Sequence, residues 1–325
     1  MSVIGRVVRA AGAVLPVLGL AGAAYQVAGE ARDRRRLPPP GELVDVGGRR
    51  LHLWREGTGT PAVIVVAALS TACLEWRTVQ QQLARDTSVY LYDRAGLGWS
   101  NPGPWPRTAE RMADELHQLL LAAAVPPPYL LVGHSFGGII ARQFAASHPD
   151  VLAGMVLVDS SHENQNRRLS PYLKRDRLTL WYRAARHQFT PLGIVRAATD
   201  LGITTQPRHD AEQVSPPGLA DVALALYRTS RYRRAAVQEL LGFASGIAAG
   251  VPPPLGGLPL TVLTAGPAGR EHWYPAWLQM QHELAALSSR STHLIAGHAG
   301  HHIHHDDPDF VIRALRDAIQ RATAE

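Results

Sequence analysis

Hydrophobic and polar positions along this chain follow two rhythms. Leu43-Val44-Asp45-Val46 and Arg50-Leu51-His52-Leu53-Trp54 alternate on either side of Gly47-Gly48, the pattern of a β-hairpin. Ala62 to Ala68 is an unbroken apolar run, as expected of a central strand buried on both faces. Val89–Tyr92, Tyr129–Val132, Met155–Val158, Leu260–Leu263 and Thr292–Ile295 are further short strands. Helical spacing occupies the intervals: Trp76–Ala84, Thr108–Ala124 with Thr108 placed as N-cap, a helix after Ser135 running to Ser147, Trp277–Leu287 and Phe310–Ala322. Between Glu163 and about Gly250 the strand signals stop, and Pro171–Arg186, Pro191–Leu201 and Gly218–Ile247 read as helices. The order predicts an open, mostly parallel sheet with helices on both faces and one helical insertion. Ligands in such sheets bind beyond the strand C-termini, where Ser135, Asp159 and the Gly-rich loop starting at Asp93 fall.

The first forty residues follow neither rhythm. Ala10–Ala28 is 19 residues long without a charge, flanked by Arg6 and Arg9 before it and by Arg32, Arg34, Arg35 and Arg36 after it. At about 1.5 Å per residue such a helix nearly spans a hydrocarbon core of about 30 Å. The expectation is a single-pass membrane anchor, with a cleaved signal peptide and secretion as the alternative reading, Ala21-Gly22-Ala23 offering a small-x-small site. The arginine asymmetry favours a cytoplasmic catalytic domain. Pro38-Pro39-Pro40-Gly41 reads as a stiff boundary. The expected organisation is therefore residues 1–40 as anchor or signal plus linker, 41–162 as the first part of a core, 163–250 as the helical insertion, and 251–325 as the rest of the core.

Composition narrows the classes. The chain of 325 residues is 46% hydrophobic and 18% charged, which is globular. Its net charge of +6 is an arginine balance, Lys174 being the only lysine. The arginines are spread along the chain and no nucleic-acid motif accompanies them, so a nucleic-acid partner is not expected. One cysteine, Cys73, excludes an intramolecular disulfide and a Cys-based zinc cluster.

The strand–turn–helix at 129–140 carries the chemistry. Gly133-His134-Ser135-Phe136-Gly137 is G-x-S-x-G. Small residues on either side of the serine let strand and helix pass closely, and the tight turn pushes Oγ out of the sheet top beside a helix N-terminus. That placement suits a nucleophile; the alternative is a Gly-rich turn that binds nothing. A serine hydroxyl needs an imidazole to take its proton, and the imidazole needs a carboxylate to fix its tautomer. His298, His301, His302, His304 and His305 crowd one late loop. As a group they also read as a solvated loop or a metal site, although the usual cysteine or carboxylate support for a metal is not evident, so neither a metal nor another cofactor is expected.

Three segments together resemble the α/β-hydrolase superfamily: Tyr92-Asp93-Arg94-Ala95-Gly96-Leu97-Gly98-Trp99-Ser100, the elbow Gly133–Gly138, and Gly300-His301-His302-Ile303 followed by Asp306-Asp307-Pro308. The resemblance runs over roughly Glu42–Ala322 and implies an eight-stranded, mostly parallel sheet, a helical cap at 163–250 and a Ser-His-acid triad. It implies Ser135 as nucleophile and His301, which follows Gly300 and precedes Pro308 by seven residues, as base, with His298 as runner-up. The family's usual acid position, the loop after Leu260–Leu263, holds no aspartate, only Glu271 somewhat late. Asp159, at the end of the strand before the cap, is the favoured acid and Glu271 the alternative. The oxyanion donors would be the Phe136 and Leu69 amides, although Ala67-Ala68-Leu69-Ser70 lacks the His-Gly or Gly-rich turn common there.

These features imply a serine hydrolase acting on an ester or related acyl bond of a hydrophobic small molecule, without a cofactor. A thioesterase, a carbon–carbon hydrolase and a cofactor-free perhydrolase are alternative chemistries. A non-catalytic member binding a hydrophobic ligand or partner is the alternative from another class.

Overall fold

A computed structural model describes residues 3–172, 190–244 and 254–323. Eight strands form one sheet: β1 (Glu42–Asp45), β2 (Arg50–Glu56), β3 (Ala62–Val66), β4 (Val89–Tyr92), β5 (Tyr129–His134), β6 (Leu152–Val158), β7 (Leu260–Ala265) and β8 (Ser291–Ala296). Their spatial order is β1-β2-β4-β3-β5-β6-β7-β8. The β1–β2 and β2–β4 pairs are antiparallel and the rest are parallel. The described helices are α1 (Val3–Arg36), α2 (Arg77–Leu83), α3 (Ala109–Ala122), α4 (Phe136–Ser147), α5 (Gln165–Leu169), α6 (Ile194–Asp200), α7 (Gln206–Gln213), α8 (Ala220–Tyr227), α9 (Ser230–Ala244), α10 (Tyr274–Ala285), α11 (Ile303–Asp306) and α12 (Pro308–Thr323).

The strands are apolar without interruption because both faces are covered. In β3, Ile64 and Val66 enter one core with α3 and α4, whereas Val63 and Val65 enter the other with α2 and α12. The period of two thus divides one run between two cores. Thr108 caps α3, its side chain accepting from the Arg111 amide at 3.3 Å, which contributes about 1 kcal/mol to such a helix.

The insertion between β6 and β7 differs in detail from its sequence reading. The expected helix Pro171–Arg186 falls largely outside the described residues. The expected helix Gly218–Ile247 is, up to Ala244, two helices, α8 and α9, broken around Arg228-Thr229, its last three positions lying outside the described residues, and α7 is an addition to the expected elements. Ala223, Leu224, Leu226, Tyr227, Tyr232, Ala235 and Ala236 pack on Ala72, Leu74 and Leu97, so these helices sit on the loops at the strand C-termini.

The expected membrane anchor is overturned. Ala10–Ala28 does lie within a helix, α1, but no helix among the described residues is long and apolar enough to cross a membrane. The C-terminal part of that helix is committed to protein contacts. Gln26 donates to the carbonyl oxygen of Arg228 at 2.7 Å and accepts from Arg196 Nε at 3.1 Å. Asp33 pairs with Arg196 at 2.7 Å, and a Cβ at Gly22 would stand 2.2 Å from the Leu192 carbonyl oxygen. The membrane partner and the single-pass localisation fall with the anchor. The proline stretch after α1 is also tied to the core: Trp99 Nε1 donates to the Leu37 carbonyl at 3.1 Å, and His52 bonds the Pro40 carbonyl.

Candidate active site

β5 ends at His134, α4 begins at Phe136, and Ser135 alone makes the turn at φ 53°, ψ −120°. A non-glycine residue reaches this region only when its surroundings impose it. Here glycines permit the close approach that does so. A Cβ on Gly137 would stand 2.1 Å from the Val66 carbonyl oxygen, and one on Gly138 would stand 1.9 Å from Ser160 Oγ. The start of α4 is thereby pressed against the ends of β3 and β6. Four non-glycine residues among those described have positive φ, and three of them, Ser70, Ser135 and Asp159, belong to this region.

His301 lies just before α11. Its Nε2 is 3.0 Å from Ser135 Oγ and its Nδ1 is 2.7 Å from Asp159 Oδ2. The His301 side chain is 40% exposed while Asp159 is fully buried, which leaves the serine end of the chain open to a substrate. His134, the second residue of the pentapeptide, holds the loop in place by donating from Nε2 to the His301 carbonyl at 3.0 Å.

Asp159 ends β6 at φ 38°. Its Oδ1 accepts from the Ala265 amide at 3.0 Å and the Trp277 indole at 2.9 Å; its Oδ2 accepts from Arg270 Nη1 at 3.0 Å as well as facing His301. Burial alone would raise its pKa, but the bond to His301, the charges of His301 and Arg270 and the Ala265 amide outweigh burial and hold the carboxyl far below the usual carboxylate range. It therefore stays ionised at any working pH, as a group that orients an imidazole requires. Glu271 is not part of this assembly: it is exposed and accepts from the Gly269 amide at 2.9 Å.

The structure thus brings Ser135, His301 and Asp159 together and leaves Glu271 apart. His298 is exposed in the loop ahead of His301. Sequence reasoning missed Arg270 and Trp277. No local pattern marks them: the loop after β7, the usual place of the acid, instead supplies a cation and an amide donor to an acid on the neighbouring strand.

Leu69 follows β3, which pairs with β5 so that Val66 faces Gly133, placing its turn beside the elbow. Phe136 is packed edge-on to Phe243 of α9 at 5.5 Å between ring centres, giving the site an apolar wall. Asp93 and Arg94 do not pair with each other. Asp93 bonds His52 at 2.7 Å and the Cys73 and Trp99 amides at 2.8 and 3.1 Å, whereas Arg94 reaches Glu239.

Three groups of side chains bring donor atoms within 4.8 Å of one another: His134–His302–His304, Glu75–His304–His305 and His52–Cys73–Asp93. In the last, His52 spends both nitrogens on Asp93 and Pro40. The other two share His304, which stacks on Trp76 at 4.2 Å and is kept neutral by burial. Elsewhere, a cavity of about 340 Å³ lies between α1, α8 and the Gly-rich loop, lined by Glu30, Asp33, Arg34, Arg50, Trp99 and Arg231 among others, and does not include Ser135.

Residues 61–308 match the alpha/beta hydrolase fold family, and the chain belongs to it. The chain is 25% identical to the uncharacterized protein YqjL of Bacillus subtilis (strain 168) over 266 residues, 81% of this chain and 85% of that one. It superposes on a thermophilic esterase from Thermogutta terrifontis with a TM-score of 0.60 at 21% identity, covering 86% of this chain and 97% of that one. The enol-lactonase from Burkholderia xenovorans LB400 gives 0.61 at 19% identity, covering 86% and 100%. At these identities the two structures speak for the fold alone.

Proposed function

We propose that this protein is a serine hydrolase that cleaves an ester or related acyl bond through an acyl-enzyme. The observation that carries this reading is the continuous hydrogen-bonded chain Ser135 Oγ–His301–Asp159, at 3.0 and 2.7 Å, on a serine forced to φ 53° at a helix N-terminus. As Ser135 Oγ attacks the acyl carbon, its proton passes to His301 Nε2 and the carbonyl electron pair moves to oxygen. The Leu69 and Phe136 amides receive the oxyanion. Collapse expels the alcohol, which takes the proton from His301. Water then repeats the sequence, giving its proton to His301 and releasing the acid and free Ser135. Asp159 remains ionised throughout and holds the tautomer of His301.

The Phe136–Phe243 wall and the partly buried Leu69 favour a hydrophobic acyl or alcohol group. Residues 163–250 act as the cap that defines its size, between core parts at 41–162 and 251–325. A serine nucleophile disfavours the alkyl-enzyme chemistry of haloalkane dehalogenases and epoxide hydrolases, which need a carboxylate there. Reaction of the protein with a fluorophosphonate tests the reading. Labelling of the wild type at Ser135 that disappears in Ser135→Ala supports it; an unlabelled wild type points instead to a ligand-binding member of the family.

A further inference from the structure

The turn after β3 has to present the Leu69 amide without the glycine that would make such a turn easy. Ala67, Ala68, Leu69 and Ser70 occupy it, and Ser70 sits at φ 56°. A strained turn of this kind persists only if its neighbours fix it, and here one buried ion pair does so. Arg94 Nη1 donates to the Ala67 carbonyl at 2.7 Å and Nη2 to the Ala68 carbonyl at 2.6 Å. The same guanidinium holds Glu239, Nε to Oε1 at 2.7 Å and Nη2 to Oε2 at 2.9 Å. Glu239 Oε2 in turn accepts the Ser70 amide at 2.8 Å. Tyr232 donates to the Ser70 carbonyl, and Ser70 Oγ to the Ala236 carbonyl at 3.2 Å. Two carbonyls before Leu69, and both backbone groups of Ser70 after it, are thus held from one side.

The two charges come from different parts of the fold. Arg94 belongs to the Gly-rich loop after β4, whereas Tyr232, Ala236 and Glu239 lie on α9 of the insertion. Both charged side chains are 98–99% buried. Desolvating such a pair costs several kcal/mol, so it is poor evidence for stability as such and better evidence for a positional task. Burial alone would lower the pKa of Arg94, but Glu239 raises it above its ordinary value, so the guanidinium remains charged.

We infer that Arg94 and Glu239 are positioning residues that set the Leu69 amide for the oxyanion, in place of the glycine missing from the turn. Because α9 carries half of the clamp, the oxyanion site is complete only while the insertion is seated. The inference rests on the serine-hydrolase reading, and its test separates the two.

The test is steady-state hydrolysis of a p-nitrophenyl acyl ester, expressed per active site counted by complete phosphonylation of Ser135. Glu239→Gln is expected to lower kcat per titrated site by about 30-fold or more, approaching the about 10²–10³-fold loss of a removed oxyanion donor, with KM changed by less than about threefold. Tyr232→Phe, which leaves the ion pair in place and folds even if Glu239→Gln does not, is expected to lower kcat per titrated site by about three- to tenfold. A purely structural clamp would reduce the number of titratable sites and leave kcat per site unchanged; that result for Glu239→Gln, or for Tyr232→Phe where Glu239→Gln does not fold, overturns the inference. A wild type that neither labels nor turns over removes the serine-hydrolase reading, and this inference with it, before any variant is made.

Discussion

Asp159 and His301 stand 142 residues apart in the chain and meet at 2.7 Å, Oδ2 to Nδ1. The carboxylate is fully buried and the imidazole partly open, so the pair joins a fixed charge to an accessible ring. An ionised partner there keeps Nδ1 protonated and the Nε2 lone pair directed at Ser135. If this pair serves catalysis, Asp159→Asn lowers kcat by about 10³–10⁴-fold with little loss of fold, whereas Glu271→Gln leaves turnover within about twofold. Turnover of both variants on one ester checks this; near-normal rates for Asp159→Asn would place the acid elsewhere.

Trp277 donates to Asp159 Oδ1 at 2.9 Å through its indole nitrogen. A hydrogen bond to a charged, buried acceptor contributes about 1.5–3 kcal/mol. Trp277→Phe keeps most of the ring volume and removes the donor. Its kcat is expected to fall by about tenfold or more, with a lower melting temperature. Unaltered kinetics would show that Arg270 and the Ala265 amide suffice to hold the carboxylate.

Much of this assembly was legible in the sequence. The two hairpin strands follow from the alternation around Gly47-Gly48 and the other six from short, largely apolar runs, because a strand covered on both faces leaves few polar positions to confuse the pattern. Ser135, His301 and Asp159 could be named because each closes a strand or follows a glycine at a recognisable spacing. Arg270 and Trp277 could not, since nothing local marks a side chain that reaches an acid on the next strand. The N-terminal stretch misled for a similar reason: absence of charge from Ala10 to Ala28 says nothing of Gln26, Asp33 and Arg196 closing a contact across the fold. The α8–α9 break was hidden because Arg228 and Thr229 are ordinary helix residues.

Glu75 is buried against Tyr227, whose hydroxyl donates to Oε1 at 3.0 Å, and Oε2 has no partner among the described residues. Burial pushes its pKa up to about 8, with the Tyr227 and Thr71 bonds only partly opposing this. The folded state therefore retains a proton that the unfolded chain releases at an ordinary carboxylate pKa. Its stability contribution is full below about pH 4.5 and is lost as pH rises toward 8, several kcal/mol in all at about 1.4 kcal/mol per unit. Thermal unfolding between pH 5 and 9 should show a declining melting temperature that flattens in Glu75→Gln. An identical slope in both proteins would contradict this assignment.

Arg196 is almost fully buried and joins α6 to α1 through Asp33 at 2.7 Å and Gln26 at 3.1 Å. Arg196→Met strips both bonds from the helix while leaving Ser135, His301 and Asp159 untouched. Limited trypsin digestion is expected to cut at Arg32–Arg36 at least about threefold faster, with ester turnover unchanged. Equal digestion rates would mean that the apolar contacts alone seat α1.

The proposed mechanism turns on acylation of Ser135. Acid quenching during turnover of a p-nitrophenyl ester, followed by mass spectrometry of the peptides, reads this directly. An acyl adduct is expected on the peptide containing Ser135 and absent from Ser135→Ala, which should lose turnover by about 10⁴-fold or more. Undiminished turnover by Ser135→Ala, with no adduct on the wild type, would contradict it.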